Sequence, residues 1–185
     1  VRGRVAATSL TAGAVLAGTG WVIGWNPVLP GYLVFALVTL MLVITDIDHK
    51  LIPNKILYRG GGLAIALLAI GSVADSMAEG LLRAFGGGFA YFGVLFLVAV
   101  IARGGFGFGD VKLAALLGMF TAYISIRVFL ISVFFTGIFG GVPAIVLLIT
   151  RRARAGDELP YGPAMVAGSW TALAFGEVFL AWYGA

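Results

Sequence analysis

With 185 residues, 61% of them hydrophobic and only 11% charged, the chain falls far below the roughly 25% charge of a soluble domain, and its mean hydropathy of +1.08 makes it an all-α membrane helix bundle. No cysteine and one histidine, His49, exclude disulfides, thiolate nucleophiles, Cys-ligated metals and a His-rich cage, so no metal or cofactor is expected. The net charge of +4 would suit nucleic acid only if gathered on a basic face; its placement along the chain marks membrane orientation instead, and no nucleic-acid partner is expected.

A spanning helix takes roughly 20 apolar residues, so six or seven spans fill the chain, which reads as one integral membrane domain over residues 1–185 with no soluble domain. After a short basic start, residues 5–25 are apolar for longer than the core of a signal peptide and form the first span, broken by Asn26, Pro27 and Pro30. The second span, 28–47, delivers Asp46 and Asp48 at its end. Pro53 and Asn54 punctuate the exit to a third span, 56–72. A polar loop over 72–80, holding Asp75 and Glu79, leads to a fourth span, 81–102.

A glycine-rich turn, Arg103-Gly104-Gly105-Phe106-Gly107-Phe108-Gly109-Asp110-Val111-Lys112, then opens a fifth helix over 110–120. That helix is short for a full crossing, so its first turn is expected to be tucked inside protein. Residues 121–125 read as a tight connection. The sixth span, 126–150, is interrupted by Gly137, Gly140, Gly141 and Pro143, where freed carbonyls need neighbours. The polar stretch 151–159 precedes Pro163, placed in a first helical turn, and a seventh span, 164–182.

With the amino terminus in the cytoplasm, Arg2, Arg4, Lys50, Lys55, Arg59, Arg103, Lys112, Arg151, Arg152 and Arg154 lie inside and only Arg83 and Arg127 outside, as the positive-inside rule asks. Both acidic stretches then sit at the cytoplasmic face, while Trp25, Tyr123, Trp182 and Tyr183 fall at the opposite ends as an aromatic belt. Arg151, Arg152 and Arg154 read as orientation signals that also touch anionic lipid.

Carboxylates inside a membrane chain are functional candidates by default. Two that share a proton form a water-activating pair, one held as the acid while the other takes a proton from water. Asp110 is one member, and Asp46 or Asp48 the other. Positions two apart on a helix point in different directions, so only one of those two can face Asp110. The repeat of Asp-x-Lys in Asp48-His49-Lys50 and Asp110-Val111-Lys112 favours Asp48. Against all this stands a plain structural role: Asp110 as a helix N-cap, and Asp46 or Asp48 paired with Lys50 or Lys112.

Gly107 and Gly109 are read as allowing backbone conformations closed to other residues and as leaving space for an extended peptide. Lys112 either lowers the net charge of the pair or snorkels to the headgroups. His49 assists protonation or is simply solvated. A phosphate-binding reading of Gly-x-Gly lacks the preceding strand it requires. Helix dipoles add one expectation: Asp110 at a helix start is the base and Asp46 near a helix end the acid.

Three stretches together resemble the type IV prepilin peptidases, membrane aspartic proteases with a Gly-x-Gly-Asp motif. They are Asp46-Ile47-Asp48-His49-Lys50-Leu51-Ile52-Pro53-Asn54, then Gly107-Phe108-Gly109-Asp110-Val111-Lys112, then Leu159-Pro160-Tyr161-Gly162-Pro163-Ala164. The resemblance implies catalytic aspartates at Asp46 and Asp110, with the spacing to Pro53 favouring Asp46 over Asp48, and supporting roles for Gly107, Gly109, Lys112 and Asp48. It implies an endopeptidase in the cytoplasmic membrane of a prokaryote that removes the basic leader from pilin-like precursors, whose own apolar helix follows the leader. Larger family members carry a cysteine-rich methyltransferase insertion; without cysteine, this chain is similar to the compact, peptidase-only branch. A proton-coupled transporter or channel built on the same carboxylates, and a catalytically idle assembly protein, are the competing readings.

Overall fold

The structure, a computed structural model, describes residues 2–74, 77–101, 107–150 and 161–182, and among these it contains helices and no strand. In chain order they are α1 (Arg2–Ile23), α2 (Leu29–His49), α3 (Asn54–Ala74), α4 (Ala78–Ile101), α5 (Phe108–Ile124), α6 (Ile126–Thr136), a π-helical turn (Gly137–Gly141), α7 (Val142–Ile149) and α8 (Gly162–Trp182). Four of them, α2, α3, α4 and α8, are long and apolar enough to cross a membrane, and shorter apolar helices complete the bundle. The expected all-α, multi-pass architecture is what the chain adopts.

Helix α5 lies at the centre. It is apolar all round, and residues from Asp110 to Tyr123 are buried on nearly every turn, as a helix with neighbours on all sides requires. Phe35 of α2 stacks on Phe120 of α5 at 4.2 Å. The buried Tyr32 places its ring edge against Phe120 and donates its hydroxyl proton to the Phe120 carbonyl at 2.7 Å, so the phenol enters the core with its polar end satisfied.

Between lipid-embedded helices, close backbone approach and dispersion replace the hydrophobic effect, which is why small residues line the seams. The α4–α5 seam shows it. A Cβ added at Gly118 would lie 2.5 Å from the Gly87 carbonyl oxygen and 3.0 Å from the Tyr91 Cβ. Backbone cannot yield there as a side-chain tip can, so Gly118→Ala is expected to cost about 1–3 kcal/mol, the usual range for overpacking, read as a lower thermal midpoint in detergent.

Several boundaries differ from the sequence reading. The loop expected over 72–80 shrinks, because α3 runs to Ala74 and α4 starts at Ala78, with Glu79 in its first turn. The connection expected over 121–125 is Ser125 alone. Its extended backbone ends α5, and its hydroxyl oxygen accepts from the Val128 N–H at 3.1 Å to cap α6. Tyr123 is no belt residue: it is buried, and its hydroxyl oxygen accepts from Ser72 at 2.8 Å. Trp25 and Trp182 are exposed, as a belt requires. The glycines and proline of the sixth span accompany the π-helical turn rather than a break.

Tyr123 at the end of α5 meets Ser72 at the end of α3 and Arg83 near the start of α4. The opposite end gathers the end of α2 and the starts of α3, α5 and α8. Asp75, Arg103, Arg151, Arg152, Arg154, Asp157, Glu158 and Tyr183 lie outside the described residues.

Candidate active site

Asp46 stands on the last turn of α2 and Asp110 on the first turn of α5. They are 5% and 8% exposed and close enough for their charges to act on each other. Among the described residues neither forms an ion pair. Asp48, two positions on, is exposed. The helix period therefore decides the choice left open by the sequence: Asp46 is the acid that turns inward to Asp110.

Three glycines make the space. Gly107 is the N-cap of α5, which removes Asp110 from that role and puts it three residues inside the helix. A Cβ on Gly107 would lie 3.3 Å from Asp110 Oδ2, one on Gly109 3.0 Å from the Ile52 Cβ, and one on Gly162 2.7 Å from Asp46 Oδ2. None of the three has a positive φ. The expectation that Gly107 and Gly109 serve special backbone conformations is thus corrected: they are needed for room. The left-handed residue here is Lys50, with φ 52°, whose N–H closes on the Asp46 carbonyl at 2.8 Å. This sharp end to α2 turns the chain so that Ile52 packs against Gly109 and reaches Gly162.

The start of α8 completes the pocket. The backbone N–H of Gly162 faces the Asp46 carboxylate, while Asp46 Oδ2 is buried without a hydrogen-bond partner. An open buried acceptor is costly and calls for a functional account. The contact also removes the basis for the dipole expectation. Asp46 ends its own helix, yet it faces the amino end of α8, so both carboxyls meet a helix N-terminus. Tyr161, just before α8, is half-buried; burial holds its phenol proton more tightly than usual, and the charge of Asp110 adds to the effect.

Lys112 turns elsewhere. Its Nζ donates to Asn54 Oδ1 at 3.0 Å and lies 4.9 Å from the Phe108 ring centre and 5.4 Å from that of Tyr58. It ties α5 to the start of α3 instead of neutralising the carboxyls. Lys112→Gln is expected to change turnover less than about threefold while costing about 1 kcal/mol of stability, the scale of an exposed cation–π contact, checked by parallel activity and melting measurements. His49 is exposed. Ile52 and Gly162 were not singled out as site residues from the sequence; the signal for Gly162 was present in Pro160-Tyr161-Gly162-Pro163, legible there only as a helix start and a family signature.

Residues 33–141, which hold both Asp46 and Asp110, match the type IV leader peptidase family. The chain belongs to that family. Its curated relatives include proteins named prepilin leader peptidase/N-methyltransferase. The one from Bacillus subtilis is 32% identical over 178 residues, covering 96% of this chain and 68% of the relative. The one from Stutzerimonas stutzeri is 26% identical, covering 94% and 59%, and the one from Pseudomonas aeruginosa 26% identical, covering 92% and 57%. This family member thus spans roughly three fifths to two thirds of those relatives' lengths. No solved structure matches it.

Proposed function

We propose that this family member is an aspartic endopeptidase that cuts the leader from prepilin-like precursors, with water activated between Asp46 and Asp110. The observation that carries the reading is the convergence of these two buried carboxyls, from separate helices, at one end of the bundle.

In this reading one carboxylate takes a proton from water as the water oxygen attacks the scissile carbonyl carbon. The other carboxyl, protonated, gives its proton to the carbonyl oxygen, forming a gem-diol. Collapse re-forms the carbonyl, breaks the C–N bond and passes a proton to the leaving nitrogen. One water is consumed, an acid and an amine leave, and the pair again holds a single proton. Gly107, Gly109 and Gly162 keep the space around the carboxyls open to an extended peptide. Lys112 and Asp48 belong to the surrounding scaffold and surface.

The orientation proposed is active site toward the cytoplasm. Lys50, Lys55, Arg59 and Lys112 lie at the carboxyl end of the bundle and Arg83 and Arg127 at the other, which supports it under the positive-inside rule. Bacterial relatives support a place in a prokaryotic inner membrane, with lipids and prepilin-like proteins as partners.

The test is purified protein in proteoliposomes with a prepilin-like substrate, the products identified by mass spectrometry. Release of an intact leader supports the reading. Proton flux without cleavage would favour a transporter, and neither activity an assembly role.

A further inference from the structure

We propose that Tyr161 is a positioning residue: its ring, seated over Gly140 on the widened turn after α6, holds the amino end of α8 where Gly162 meets Asp46. The proposal rests on the aspartic reading of the site.

The antiparallel seam between α6 and α8 leads to it step by step. Gly176 packs on Val128. Ser169 and Ser132 share a hydrogen bond of 2.9 Å. A Cβ on Gly168 would lie 2.7 Å from Thr136 Oγ1. Beyond Thr136 the helix widens into the π turn, Gly137–Gly141, a device that recurs at functional sites because the inserted backbone redirects one face. There a Cβ on Gly140 would collide with the Tyr161 ring, with two further ring carbons only 2.8 Å away. The Tyr161 hydroxyl reaches the Thr136 carbonyl at 3.5 Å, a long and weak bond.

The next of these small-residue contacts along the seam is Gly168, about 9 Å further along the helix at 1.5 Å per residue. Tyr161 is the neighbour of Gly162 in the chain, so the fit of its ring is transmitted directly to the N–H that faces Asp46. Shape, meaning a ring in a notch that only glycine leaves open, is what sets the position.

A double-mutant cycle tests this. Gly140→Ala and Tyr161→Ala are each expected to lower kcat by about 100-fold with KM little changed, the effect of misplacing a reacting group by about 1 Å. Tyr161→Phe, which keeps the ring, recovers most of kcat. The combined variant is no worse than Tyr161→Ala alone, because the added methyl has no ring to strike. In parallel, the infrared carboxyl band of Asp46, isolated by subtracting Asp46→Asn spectra in each background, shifts in Gly140→Ala as the Gly162 N–H withdraws. That band needs no cleavage: a shift in a protein that cuts nothing would uphold the positioning role and refute the peptidase reading. Losses that multiply, or an unshifted band with full kcat in Gly140→Ala, would overturn the proposal. If Tyr161→Ala does not fold, Tyr161→Leu replaces it in the cycle.

Discussion

Asp46→Asn and Asp110→Asn should each lower kcat by about a thousandfold or more, the upper range for loss of a positioned proton-transfer group. Each replacement is nearly isosteric, so the packing of α2 and α5 is retained while one side chain loses the ability to exchange a proton. Because the two act as one unit, the double variant should be hardly worse than either single one. Asp48→Asn is the internal control. Its carboxylate is exposed two residues from Asp46, and its loss should leave kcat within about threefold, the margin of an ordinary surface change. Thermal midpoints of the dyad variants should equal or exceed the parent's, since an amide costs less to bury than a carboxylate without a counterion. The measurement is a single-turnover leader-release assay beside melting curves in the same detergent. Cleavage surviving in Asp46→Asn or Asp110→Asn would remove that residue from the chemistry.

Gly162→Ala is expected to disable the site without touching either carboxylate chemically. The added methyl would lie 2.7 Å from Asp46 Oδ2 and 3.3 Å from its carboxyl carbon. Either the carboxylate swings aside or α8 withdraws, and in both cases the N–H donor and the acid separate. A displacement of about 1 Å in a reacting group costs on the order of 100-fold in turnover, so kcat should fall by that much while substrate affinity holds. The comparison that isolates the cause is Gly62→Ala. Gly62 is a helical glycine with no neighbour within 4 Å of its ideal Cβ, and it should retain full activity and gain slightly in stability from higher helix propensity. Equal loss in both variants would mean that the effect is general to helical glycines and not specific to the Asp46 contact.

The bundle itself was legible along the chain, for reasons that are local. Apolar runs of about 20 residues, broken by Pro27, Pro30, Pro53 and Pro163, determine where helices run, because a bilayer leaves the backbone few other ways to satisfy its hydrogen bonds. Boundaries were less legible. Whether 121–124 continues a helix or forms a loop depends on the Thr121 hydroxyl, which returns its proton to the Leu117 carbonyl at 2.8 Å, and on Ser125 capping the next helix; composition cannot separate these outcomes. Tyr123 looked like an interfacial aromatic until Ser72 and Arg83 were found closing over it.

For the site, the sequence by itself determined which residue types were on offer: two short acidic stretches, glycines around one of them, and no cysteine to compete. Only the tertiary structure decided which acid turns inward, because a two-residue difference in helical phase separates a buried Asp46 from an exposed Asp48. Only it showed that Lys112 serves an aromatic cage, that the glycines act through room instead of backbone freedom, and that Gly162, 116 positions beyond Asp46, supplies the N–H against it. Helix periodicity and apolar length are properties of neighbours in sequence, so the chain carries them openly. Contact between α2, α5 and α8 depends on where whole helices cross, and no local pattern encodes that crossing.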